Sequence, residues 1–143
     1  MYVCNKFKFN RPQPVIILSG LRDSNIETRT PFLEGITRAA YRSDAVLIDS
    51  GVKSGIECSA IRRNLNLIGV FPNEQIKLPM LNAKSESSGE LTNGHTHLFA
   101  ITDKFYQKWG NEIKLKMKIA ENITKGSAEN RKKKVPQCKT IFV

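Results

Sequence analysis

Asp49, Ser50, Gly51, Lys53, Ser54, Gly55 and Glu57 crowd one short segment, AVLIDSGVKSGIE, of a 143-residue chain. Small residues let a backbone turn tightly and approach a ligand closely. A serine hydroxyl, a lysine ammonium and free N–H groups at a helix start together favour an anion, commonly a phosphate. Asp49 closes an apolar run and could accept from a ribose hydroxyl or only pin its own turn. Ser54 and Glu57 also stand at S-x-x-E spacing, which predicts a capping box with Ser54 at the helix start. On that plainer reading Ser54 caps and Lys53 points to water.

Ser19, Gly20 and Arg22 follow an earlier apolar run, where the Arg22 guanidinium would offer a bidentate fork to a second phosphate or to a ribose. No G-x-G-x-x-G is present there, and a plain surface arginine is the competing reading. His95, Thr96 and His97 form a third group. Residues two apart on a strand share one face, so the rings are expected on the same side. One is expected to hydrogen-bond within its turn and the other to face a ligand, with a modest pH dependence. A metal usually needs four ligands, and no third His, Cys or carboxylate stands at a matching spacing, so the sequence predicts no metal site. Glu57 and Glu112 fall at helix starts, where capping is the expected role.

These residues must be positioned by alternating strands and helices. Pro14–Gly20 and Ala45–Ile48 read as buried strands, Leu67–Pro72 as a third stopped by its proline, and His95–Ile101 as a fourth. Thr30-Pro31 predicts a helix start, with Phe32, Ile36, Ala39 and Ala40 facing inward. The second helix presents Ile56, Ala60, Ile61 and Leu65. Residues 73–94 are polar and read as a long loop near a ligand mouth. A helix from Asn111 to about Thr124 places Ile113, Met117, Ala120 and Thr124 inward, widened by Leu115 and Ile119. Val135–Val143 reads as a fifth strand. This alternation predicts an α/β, Rossmann-like, mostly parallel sheet with helices on both faces. Ligands in such sheets bind outside the carboxyl ends of the strands at the switch point, where the three polar turns are expected to converge. Residues 1–13 read as a lead-in and 14–143 as the domain. The final apolar strand has no covering helix after it, so the domain reads as incomplete at its C-terminus.

Composition narrows the class. The chain is 40% hydrophobic and 25% charged, with no apolar run of membrane-spanning length and no signal-peptide pattern at its start. Cys4, Cys58 and Cys138 are odd in number and widely spaced, which argues for reduced thiols and a cytoplasmic setting. The net charge of +10 is uneven: residues 104–143 hold 11 basic against 3 acidic side chains. A solvated helix face with a lysine-rich loop explains that run more simply than nucleic acid, because no stacking aromatics accompany it.

Three passages carry a resemblance: PVIILSGLRDSN, AVLIDSGVKSGIE, and LTNGHTHLFAITD followed by WGNEIKLKMKIAENI. Together they resemble the SLOG superfamily, and most nearly the SLOG/LSDAT domain of melastatin-type TRP channels and its prokaryotic relatives. Ser50-Gly51 stands where the family has a glycine pair, and the HTH tripeptide before a G-x-E helix is the most specific match. The resemblance implies a non-catalytic domain that binds or senses a nucleotide or nucleotide-derived ligand such as ADP-ribose or NAD, as an oligomer or fused to further domains. It also raises a Lonely Guy-type nucleotide N-glycosidase, yet the PGGxGTxxE run of those enzymes has no counterpart here. Nucleic-acid binding through the basic third is the remaining alternative.

Overall fold

The computed structural model describes residues 9, 11–19, 26–77, 89–90, 93–127, 132 and 138–143. In chain order the elements are β1 (Val15–Ile17), α1 (Ile26–Ser43), β2 (Val46–Asp49), α2 (Ile56–Arg62) and β3 (Leu67–Pro72). There follow β4 (Ile76–Lys77), β5 (Gly89–Glu90), β6 (His97–Ile101), α3 (Glu112–Lys125) and β7 (Thr140–Phe142). Five strands form one sheet in the order β6-β3-β2-β1-β7, every pairing parallel. This is the Rossmann-like α/β arrangement that the alternating pattern predicts.

The sheet is covered on both sides, which is why the apolar runs of β1, β2 and β3 are continuous rather than alternating. Val15, Ile17, Val46, Ile48, Ile68 and Val70 pack on one face with Ile119, Ala120 and Ile123 of α3. Ile16, Leu18, Leu47 and Leu67 pack on the other with Leu33 and Ala40 of α1 and Ile56 and Ala60 of α2. Phe9 joins the α3 side of the core, so the end of the lead-in packs into the domain.

Several expectations shift in register. α1 begins at Ile26, ahead of the predicted Thr30-Pro31 start, and carries Pro31 within it. Pro31 is past the first turn, where its missing N–H leaves one i→i−4 hydrogen bond of the helix unmade. Among its described side chains Leu33, Thr37 and Ala40 are buried, while Phe32 is 46% exposed. α3 is turned by one residue from its apolar reading. Its buried stripe is Glu112, Lys116, Ile119, Ala120, Ile123 and Thr124, and Ile113 and Met117 face outward. Ile61 of α2 is likewise exposed. The stretch expected to be one long loop contains a 3-10 turn at Asn73–Gln75 and a parallel pair between β4 and β5. Of the predicted fifth strand, 135–137 lie outside the described residues.

The strand order places the switch point between β1 and β7. The two strands are tied beyond their ladder: Val143 N–H donates to Ile17 O at 2.9 Å and Ser19 N–H to Val143 O at 2.9 Å. β3 and β6 sit further along the sheet. Asp49, the last residue of β2, is level with Gly69, the third residue of β3, and Ile68 is level with His97, the first residue of β6. The end of β2 and the turn before β6 therefore meet across β3.

Gly69 is where they meet. A Cβ there would lie 2.7 Å from Gly51 Cα, 2.7 Å from Leu98 Cδ2 and 3.1 Å from His95 Cδ2. Gly69→Ala is expected to cost about 1–3 kcal/mol, because it overpacks against backbone. Gly35, inside α1 with nothing within 4 Å of an added Cβ, should respond oppositely. Gly35→Ala is expected to stabilise by about 0.5–1 kcal/mol. Urea denaturation of both variants measures the two signs.

Candidate functional site

The polar cluster grows from the carboxyl end of β2. Strand alternation sends Leu47 and Asp49 to the α1/α2 face and Ile48 and Ser50 to the α3 face. Asp49 is 3% exposed. Its Oδ1 accepts from Gly51 N–H at 2.8 Å and lies 2.9 Å from His95 Nε2. Its Oδ2 is fully buried and, among the described residues, has no hydrogen-bond partner.

The chain then turns through Gly51, with φ +72°, and leans over β3 into the space that Gly69 leaves open. Gly55, with φ +91°, is the N-cap of α2, a backbone region that favours glycine. This corrects the predicted Ser54 cap. Only half of the capping box forms. The Glu57 carboxylate reaches back, taking Ser54 N–H on Oε1 at 3.0 Å and Gly55 N–H on Oε2 at 2.8 Å. Ser54 Oγ accepts only a long contact, 3.5 Å, from Ile56 N–H. The amides expected to cradle a phosphate are thus filled by the protein's own carboxylate.

The two histidines do not share a face. His95 precedes β6, so strand alternation does not govern it, and Gly94 before it has φ +120°. Its ring crosses Gly69 to Asp49, with its side chain 1% exposed. His97 lies on the α3 side, its ring centroid 5.6 Å from that of Phe9 and its Nδ1 3.0 Å from Thr96 Oγ1. Burial against that ring lowers the His97 pKa. Thr96 Oγ1 donates to Leu67 O at 3.0 Å and holds the start of β6 on β3.

On the other face an unforeseen member, Lys116, enters the cluster. Its side chain is 1% exposed and Nζ donates to Ser50 Oγ at 3.2 Å, with Glu112 Oε1 3.8 Å away. Burial lowers its pKa, while the charges of Glu112 and Asp49 oppose that shift. Glu112 also caps α3 from within, accepting from Gly110 N–H at 2.6 Å. The signal that could have revealed Lys116 is its i, i+4 spacing from Glu112 on the stripe that continues into Ile119, Ala120 and Ile123.

The structure therefore brings together Asp49, Ser50, Gly51, Ser54, Gly55, Glu57 and His95, with Lys116 and Glu112 added. Lys53 is exposed beside the cluster, and Thr96 and His97 serve the strand instead. Ser19 is exposed at the end of β1, and Gly20 and Arg22 lie outside the described residues. The cluster sits over β2 and β3, one strand away from the switch point, because β6 begins so far along the sheet.

A family model described as SLOG in TRPM, prokaryote, matches residues 13–138. A comparison with curated proteins gave no match. Among the described residues no helix is long and apolar enough to cross a membrane.

His97 gives a pH test. Its pKa is lower in the folded chain than in the unfolded one, so the unfolded state binds more protons between the two values. Its contribution is complete above about pH 6.5 and is lost as pH falls towards the folded value. Urea midpoints from pH 7.5 to 5.5 should fall more steeply for the native chain than for His97→Gln, the difference isolating this ring from His95.

Proposed function

This chain belongs to the family described as SLOG in TRPM, prokaryote, and from that premise we propose that it binds a nucleotide or nucleotide-derived ligand, of the ADP-ribose or NAD kind, without chemistry. The observation that supports this reading is the gathering of Asp49, Ser50, Glu57 and Lys116 at the carboxyl end of β2, the edge where open parallel sheets receive ligands. Acceptors on Asp49 and Glu57 suit ribose hydroxyls. Lys53, exposed on the same turn, and Lys116 suit phosphate oxygens. The filled Ser54 and Gly55 amides shift the expected phosphate contact from backbone to these ammonium groups. The ligand's arrival would be read out by a partner or a further domain, which gives the domain a regulatory role.

No residue favours the glycosidase alternative, since the PGGxGTxxE run has no counterpart in the sequence. Among the described residues of the basic third, Lys118 and Lys125 flank Glu121 on the outer side of α3, which favours a solvated face over a second reading.

Calorimetry with ADP-ribose, NAD, AMP and cyclic nucleotides tests the proposal. At least one should bind saturably, and Lys53→Ala should weaken it while leaving any binding of adenosine unchanged. Binding of none of them overturns the reading. Release of free base from AMP would replace it with the enzyme.

A further inference from the structure

We propose that Asp49, Glu57 and His95 form a site for one divalent cation of the kind that accepts mixed oxygen and nitrogen ligands, such as Zn²⁺ or Mn²⁺. One ligand atom from each of the three lies within 4.8 Å of the others. The 2.9 Å between His95 Nε2 and Asp49 Oδ1 is a hydrogen bond, and opening it to about 3.4 Å gives the spacing of two atoms bound to one tetrahedral ion at about 2.0–2.2 Å. The sequence predicts no metal here because it offers only His95 and His97 as a near pair. The fold parts those two and supplies the carboxylates from positions 49 and 57.

A second observation points to a missing positive partner. Asp49 Oδ2 is buried and, among the described residues, accepts no hydrogen bond, while the Asp49 carboxylate is part of the cluster. A buried, unpaired carboxylate oxygen is costly and calls for a donor or an ion.

The surroundings hold these ligands in place. The Glu57 oxygens accept from Ser54 and Gly55 N–H groups, which fixes the carboxylate in place. Gly51 N–H fixes Asp49 in the same way. Such outer contacts orient metal ligands. A Cβ on Gly94 would fall 2.9 Å from Glu57 Cβ, so glycine there lets the His95 turn close onto α2. Ion binding replaces the His95–Asp49 hydrogen bond. The Nε2 proton moves to Nδ1 of the neutral ring, or leaves to solvent from an imidazolium.

The proposal does not rest on the nucleotide reading, and its probe is the metal alone. Chelator-stripped full chain is titrated with MnCl₂ and with ZnCl₂ by calorimetry and by imidazole ¹⁵N spectra. The chain has 2 histidines, so His97→Gln assigns both rings. One equivalent should bind, the His95 Nε2 signal should move or broaden, and the His97 ring should not respond. Loss of an outer-shell contact weakens metal sites roughly 10–100-fold, so Asp49→Asn and Glu57→Gln should each weaken binding at least about tenfold. His97→Gln should bind like the native chain. Absence of saturable binding, or zinc taken up with no change at His95, overturns the site. If Asp49→Asn does not fold, the His95 signal of the native chain still decides.

Discussion

The polar end of β2 depends on a space about one methyl group wide above Gly69. Through it the Asp49–Gly55 turn leans over β3, and through it the His95 ring reaches Asp49 from the turn before β6. Any side chain at position 69 would part the two. The shift of β3 and β6 along the sheet matters only because of this opening, for it brings a turn at the start of one strand level with the end of another. A buried carboxylate is thereby held by a backbone N–H and a ring nitrogen that are 44 positions apart in the chain, Gly51 and His95.

The framework was legible because fully buried parallel strands have a simple signature. VIIL, AVLI and LIGVF are apolar without alternation, and each is covered on both faces as that pattern implies. Helix faces were harder. In α3 the apolar side chains Ile113 and Met117 suggest one stripe, while the buried stripe lies a residue earlier and begins with Glu112 and Lys116. The first turns of that helix lie over the polar strand ends rather than the core, so charge is wanted inside there. The site was legible where it is local, from Asp49 to Glu57. His95 was legible as a member but not its partner, which strand register sets, and Lys116 arrives through helix rotation, marked only by its i, i+4 spacing from Glu112.

Lys116 and Ser50 link the two faces of the sheet. Asp49 and Ser50 are consecutive and point to opposite sides, one towards α2 and His95, the other towards α3. A charge placed beside Asp49 is therefore felt by Lys116 across the backbone of β2, and the Lys116 pKa already responds to Asp49. Two helices that never share a face are in this way coupled by adjacent residues at one strand end. A buried ammonium held mainly by a hydroxyl and a carboxylate at 3.8 Å is sensitive to any change in that balance.

Glu57 changes what such a turn can recognise. An isolated glycine turn presents bare N–H groups to whatever anion arrives. Here Ser54 and Gly55 N–H face a carboxylate fixed to the next helix, and a tethered group competes at an effective concentration in the millimolar range or above. A weakly bound phosphate does not displace it. Positive charge and hydroxyl groups are treated differently, since among the described residues one buried Asp49 oxygen accepts nothing. The turn that by sequence resembles an anion cradle is, once folded, an acceptor surface. Among the described residues, positive charge stands beside it on Lys53 and Lys116.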